Sequence, residues 1–152
     1  MKIRKIIYDD RARQIIDFDG MQYKDCCGTD CDFMFELDGE MFIFGEFKYN
    51  GKEMDEGQRL FFEHVADALT EAGKDALVVI LDHYVQNPID HVDASKGVVR
   101  EWYSNGSWYG KGEFYSDPGT GLCFREFVDC YLRRVAKENP RVRGKIKWLT
   151  CT

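Results

Sequence analysis

The stretch Asp32-Phe33-Met34-Phe35-Glu36-Leu37-Asp38-Gly39-Glu40-Met41-Phe42-Ile43-Phe44-Gly45-Glu46-Phe47-Lys48 decides the fold. Two apolar runs, Asp32 to Leu37 and Met41 to Lys48, flank Asp38-Gly39, where glycine supplies the positive φ that a tight turn needs. An antiparallel hairpin is expected. Side chains alternate across a strand, so Asp30, Asp32, Met34 and Glu36 share one face, and Cys31, Phe33, Phe35 and Leu37 the other. On the second strand Phe42, Phe44, Glu46 and Lys48 lie together. The loop decides which residue meets Glu46. A loop of Asp38-Gly39-Glu40 brings Asp32 opposite it, a loop of Leu37-Asp38-Gly39 brings Asp30, and a strict two-residue turn brings Cys31 and dissolves the cluster.

Downstream of the hairpin, Asn50-Gly51 punctuates the chain and Asp55-Glu56 precedes a segment whose apolar residues Leu60, Phe61, Val65, Ala68 and Leu69 recur at helical spacing up to Gly73. An amphipathic helix with acids in its first turn and a glycine stop follows. The continuous run Ala76 to Leu81 has the length of a buried strand, which predicts a sheet covered on both faces. Val98 to Trp108 predicts a second hairpin turning at Ser104-Asn105-Gly106-Ser107. Asp117-Pro118-Gly119-Thr120-Gly121 breaks the chain before a helix over 122–137 with Phe124, Phe127, Val128, Tyr131 and Val135 inside; its glycines lack the Lys-Ser/Thr of a phosphate loop. Pro140 is expected to end that helix, and Lys145 to Leu149 to form a final short strand.

A chain of 152 residues suits one domain spanning 1–152, and 44% apolar with 32% charged residues excludes disordered and fibrous classes. No run reaches the roughly 18 apolar residues of a membrane span, and the start lacks an apolar run of secretory length, so no membrane partner and a cytoplasmic location, bacterial or in a phage-infected host, are expected. Six cysteines without an export signal read as free thiols, and Cys26-Cys27-x3-Cys31 lacks the spacing of a zinc ribbon. The net charge of -6 gives no reason to expect nucleic acid, but it is unevenly spread. Thirteen acids between Asp25 and Glu71 face only Lys48, Lys52 and Arg59, whereas seven bases between Arg133 and Lys147 face only Glu138. The acidic centre calls for cations; the basic end is expected to meet phosphates.

Carboxylates brought together repel unless a cation lies between them, so the face carrying Glu46 with Asp32 or Asp30 suggests a hard divalent ion held through oxygen, Mg²⁺ being the natural occupant. Lys48, two residues on, would place an ammonium where a phosphate oxygen or an attacking water would lie. The plainer reading is a charged solvent face with Glu46 and Lys48 exposed. His64 lies on the helix, six residues beyond Gln58, while His83 and His91 flank Pro88 without catalytic spacing. Trp102, Tyr103, Trp108 and Tyr109 bracket the Asn105-Gly106 turn; such rings stack on bases in some proteins, but pair across hairpin strands more commonly.

Asp32, an apolar strand, a turn, a second apolar strand ending Glu46-Phe47-Lys48 and then Gln58 on a following helix resemble the D…(D/E)xK signature of the PD-(D/E)XK nuclease superfamily, which includes restriction endonucleases and Holliday-junction resolvases. The resemblance covers about residues 28–83 and is closest to the small phage-type and bacterial members. It implies an α/β fold with a restriction-endonuclease-like core, a mixed β-sheet flanked by helices, carrying an extra hairpin and a C-terminal helix. It further implies a metal-dependent endonuclease in which Asp32, Glu46 and the carbonyl of Phe47 ligate Mg²⁺, with Mn²⁺ able to substitute. Lys48 would activate the attacking water, Gln58 would position these groups, and Asp30 stands as a rival ligand. Two features depart from the family: only Asp9 and Asp10 offer an upstream acid, and Cys31 stands where many members have proline. DNA, branched or duplex, is the partner implied, with a homodimer suited to cutting two strands. The competing expectation is a non-catalytic nucleic-acid- or protein-binding module on the same fold.

Overall fold

The computed structural model describes residues 28–110 and 121–146, with Gly20 and Lys24. The upstream acids Asp9 and Asp10, and the turn at 117–120, lie outside the described residues. Where one domain was expected over 1–152, the chain divides into two compact units, Met1–Asp30 and Cys31–Thr152; every element below belongs to the second.

Strands β1 (Phe33–Leu37) and β2 (Met41–Tyr49) form the hairpin. Leu37 pairs with Met41, so the loop is Asp38-Gly39-Glu40, with Asp38 at φ 49° and Gly39 at φ 67°. Helix α1 (Glu56–Glu71) follows, and strand β3 (Asp75–His83) returns parallel to β2. Asp55 caps α1 by accepting the Gln58 N–H at 2.8 Å. Gly73, at φ 76°, ends it: the Gly73 N–H bonds the Thr70 carbonyl and the Lys74 N–H the Leu69 carbonyl, the paired bonds of a Schellman stop. Strands β4 (Val98–Ser104) and β5 (Ser107–Tyr109) complete a mixed sheet of order β1-β2-β3-β4-β5, in which only β2 and β3 run parallel.

Alternation along the central strands builds two cores. Ile43, Leu77, Val79, Leu81 and Val99 face helix α2 (Phe124–Glu138) through its Phe124, Phe127, Tyr131 and Val135. Phe44, Val78, Ile80 and Tyr103 face α1 through Phe62 and Ala66. The sheet is covered on both faces, as the unbroken apolar run of β3 required. Gly45 lets β2 lie close to β3, since a Cβ there would stand 1.9 Å from the Val79 carbonyl oxygen. The α/β class and the flanked mixed sheet therefore hold.

The second hairpin turns at Asn105 and Gly106, both at positive φ, as expected. Its aromatic residues pair across strands: Trp102 stacks on Tyr109 at 4.2 Å and Tyr103 meets Trp108 at 5.2 Å. They support the hairpin. At the C-terminal end the expectation fails. Pro140 does not simply stop the helix but opens a further one, α3 (Pro140–Lys145), because Asn139 accepts the Arg141 and Val142 N–H groups while proline sits where no N–H is needed. Lys145 is thus helical rather than the start of a strand, and 147–152 lie outside the described residues.

Candidate functional site

The hairpin register selects one of the three alternatives. Phe33 pairs with Gly45, so the same register sets Asp32 opposite Glu46 and removes the pairings of Asp30 and Cys31 with it. Asp32 brackets Glu46 along β2: its N–H donates to the Gly45 carbonyl at 3.1 Å, and its Oδ2 accepts the Phe47 N–H at 2.8 Å. Asp30 belongs to the first unit and is exposed.

Glu46 points to the α1 face with Phe44 and is only 4% exposed, so the reading of a solvated charged face is overturned for it; Lys48 is half-buried. A buried carboxylate needs donors. Gln58, itself 5% exposed, supplies one: its Nε2 donates to Glu46 Oε1, while its Oε1 accepts from Lys48 Nζ at 3.0 Å. Only this orientation of the amide gives the carboxylate a donor and the ammonium an acceptor. One side chain holds both charged groups, and the Asp55 cap holds its backbone.

The all-oxygen set of Asp32, Glu46 and the Phe47 carbonyl suits Mg²⁺, which takes one or two carboxylates and completes its shell with water and substrate oxygens. Among the described residues no group of three or more His, Cys, Asp or Glu side chains is arranged to hold a metal ion. A site here is of the two-carboxylate kind. Beside it, the Cys31 thiol donates to the Phe33 carbonyl at 3.0 Å and the Gly45 carbonyl at 3.5 Å. Burial pushes its pKa up, and the charges of Glu46 and Asp32 push the same way. It stays protonated near neutrality and is no nucleophile.

Reading the sequence missed a second row of charge on this face. Asp82, 7% exposed, is the register partner of Lys48 on β3. The β3–β4 register shifts between Ile80 and Leu81, leaving Arg100 as an extra residue, so Arg100 and Glu101 both turn toward the α1 side. Arg100 pairs with Asp82 at 3.3 Å, and Glu101 with Arg59 of α1 at 2.6 Å. Val78 and Ile80 gave the parity signal for Asp82, but the run was expected to end at Leu81, two residues before β3 does. The bulge itself had no signal in the sequence.

His64 and His91 are exposed and His83 half-buried. The basic end is largely engaged within the chain. Arg143 donates to the carbonyls of Ala136 and Lys137 at 2.7 Å each, closing α2. Lys145 pairs with Asp38 at 2.7 Å and Arg141 with Glu40 at 3.6 Å, while Arg134 lies over Tyr131 at 5.3 Å. No family model, no curated protein and no solved structure matches this chain.

Proposed function

We propose that the chain is a Mg²⁺-dependent nuclease hydrolysing phosphodiester bonds in DNA, built on a restriction-endonuclease-like core. One observation carries the reading: the hairpin sets Asp32 opposite Glu46, and Gln58 ties Glu46 to Lys48. The order β1, β2, α1, β3 is also the one that the resemblance implies.

Asp32, Glu46 and the Phe47 carbonyl would hold the ion, which withdraws charge from a phosphodiester and lowers the pKa of water. The protein's own part is positional. Lys48, steadied by Gln58, presents an ammonium to the oxygen that gains charge as the phosphate is attacked. Gln58 keeps the Glu46 carboxylate turned toward the same place. A branched substrate of the kind junction resolvases cut is the favoured one, because so small a chain has little room for a part that reads bases.

A scaffold reading draws support from the same hydrogen bonds, since Gln58 already supplies a donor to Glu46 and an acceptor to Lys48 within the chain. Cleavage separates the two. With Mg²⁺ and branched, linear or single-stranded DNA, Glu46→Ala and Lys48→Ala are each expected to lower the rate by about a hundredfold or more. Undiminished cleavage by both variants, or no cleavage by the native chain on any of these substrates, would overturn the proposal.

A further inference from the structure

The parallel strands β2 and β3 run out side by side, with Tyr49 and His83 as their last register pair and the Asn50 N–H bonded to the His83 carbonyl at 3.0 Å. The carboxyl ends of such strands are where open α/β sheets place their ligands. Here the chain leaves large rings uncovered. Tyr49 is 46% exposed and Tyr84 60% exposed, and the Tyr49 ring is supported from one side by that of His83, 5.5 Å away.

Cations surround these rings. Lys48 directly precedes Tyr49 and points to the opposite face of the strand. Lys52 follows across the turn, its N–H on the Tyr49 carbonyl at 3.1 Å, and Arg100 donates to the Lys52 carbonyl at 3.1 Å. Exposed aromatic rings interleaved with positive charge are what binds single-stranded nucleic acid: the cations follow the backbone, and each ring offers a π-face to a base. A duplex keeps its base faces inside the stack and gains little from such rings; an unpaired strand offers one base after another.

We propose that Tyr49 and Tyr84 form a stacking ledge for unpaired bases, and that the substrate class of this chain is nucleic acid presenting a single strand at the cleavage point. The inference rests on the nuclease reading only for the phosphate brought to Lys48. A strand laid across the ends of β2 and β3 places a phosphate on the Lys48 side and an adjoining base over Tyr49.

Anisotropy of a fluorescein-labelled single-stranded 12-mer and its duplex tests the ledge, with Ca²⁺ present so that binding is read apart from cleavage. The native chain is expected to favour the single strand. Tyr49→Ala and Tyr84→Ala should each weaken that binding about fivefold or more, and Tyr49→Phe and Tyr84→Phe should keep it, since a phenyl ring still stacks. Single-strand affinity that is undetectable in the native chain, unchanged in the alanine variants, or lost no more than duplex affinity would overturn the ledge, and capture of a protein through this face would not rescue it. Failure of the two readings is distinguishable. A chain that cleaves through Lys48 yet ignores both tyrosines loses the ledge alone; one that binds through the tyrosines yet cleaves nothing loses the nuclease alone.

Discussion

Gln58 does with one amide what two residues would otherwise have to do. It stands at the third position of α1, three beyond Asp55, the spacing at which a cap residue and a glutamine serve a helix start. Its backbone takes the cap, while its side chain runs into the sheet, to Glu46 and Lys48. Gln58→Ala should therefore strip a donor from a buried carboxylate, lowering the unfolding free energy by about 1–3 kcal/mol in urea denaturation. A variant as stable as the native chain would show that Glu46 does not depend on Gln58. At this scale the sequence was informative. Parity along Asp32 to Lys48 put the right residues on one face, and the three-residue loop was one of its alternatives; what it could not state was which loop, because Asp38-Gly39 suits more than one.

Helix α1 is fixed to the sheet by two stripes. Phe62 and Ala66 bury against β2 and β3, while Arg59, Glu63 and Asp67, each four residues on from the last, tie to Glu101, Trp108 and Tyr103 of the second hairpin. Arg59 also lies over the Trp108 ring at 4.2 Å. Burial, helped by the Asp67 hydrogen bond, pushes the Tyr103 hydroxyl up to about 12, so it donates throughout the neutral range. The Arg59–Glu101 pair is incompletely satisfied, as Arg59 Nη1 and Glu101 Oε2 are buried with no partner among the described residues. Such a pair costs more to break than it contributes. Arg59→Met alone should lose about 3–5 kcal/mol, whereas Arg59→Met with Glu101→Leu should recover most of that loss; equal losses in the two would contradict the account. None of these ties was legible in the sequence. The apolar periodicity of 60–69 foretold a helix, but its polar partners lie on strands whose place in the sheet a bulge decides.

Across the whole molecule, charge is distributed by face rather than by position in the chain. The basic segment, expected to meet phosphates, packs through α2 and α3 on the face opposite α1. Its Arg141 and Lys145 end on Glu40 and Asp38 at the hairpin loop. From Glu40 to Lys48 the strand runs roughly 26 Å at ~3.3 Å per residue, so these bases stand at the far end of the sheet from the candidate site. Counting charges along the sequence showed the asymmetry but not this separation, which follows from folding the C-terminal segment across the opposite face. The cations near the site are Lys48, Lys52 and Arg100, too few to offset the acids without a bound ion.

The central claim, that Asp32 and Glu46 together make a divalent-ion site, is tested most directly by the melting temperature of the nucleic-acid-free protein as Mg²⁺ or Mn²⁺ is added. The account expects a rise of about 5–10 °C at a hundredfold excess over Kd, absent in Asp32→Asn and in Glu46→Gln. A melting temperature that ignores both ions, or rises equally in those variants, would contradict it.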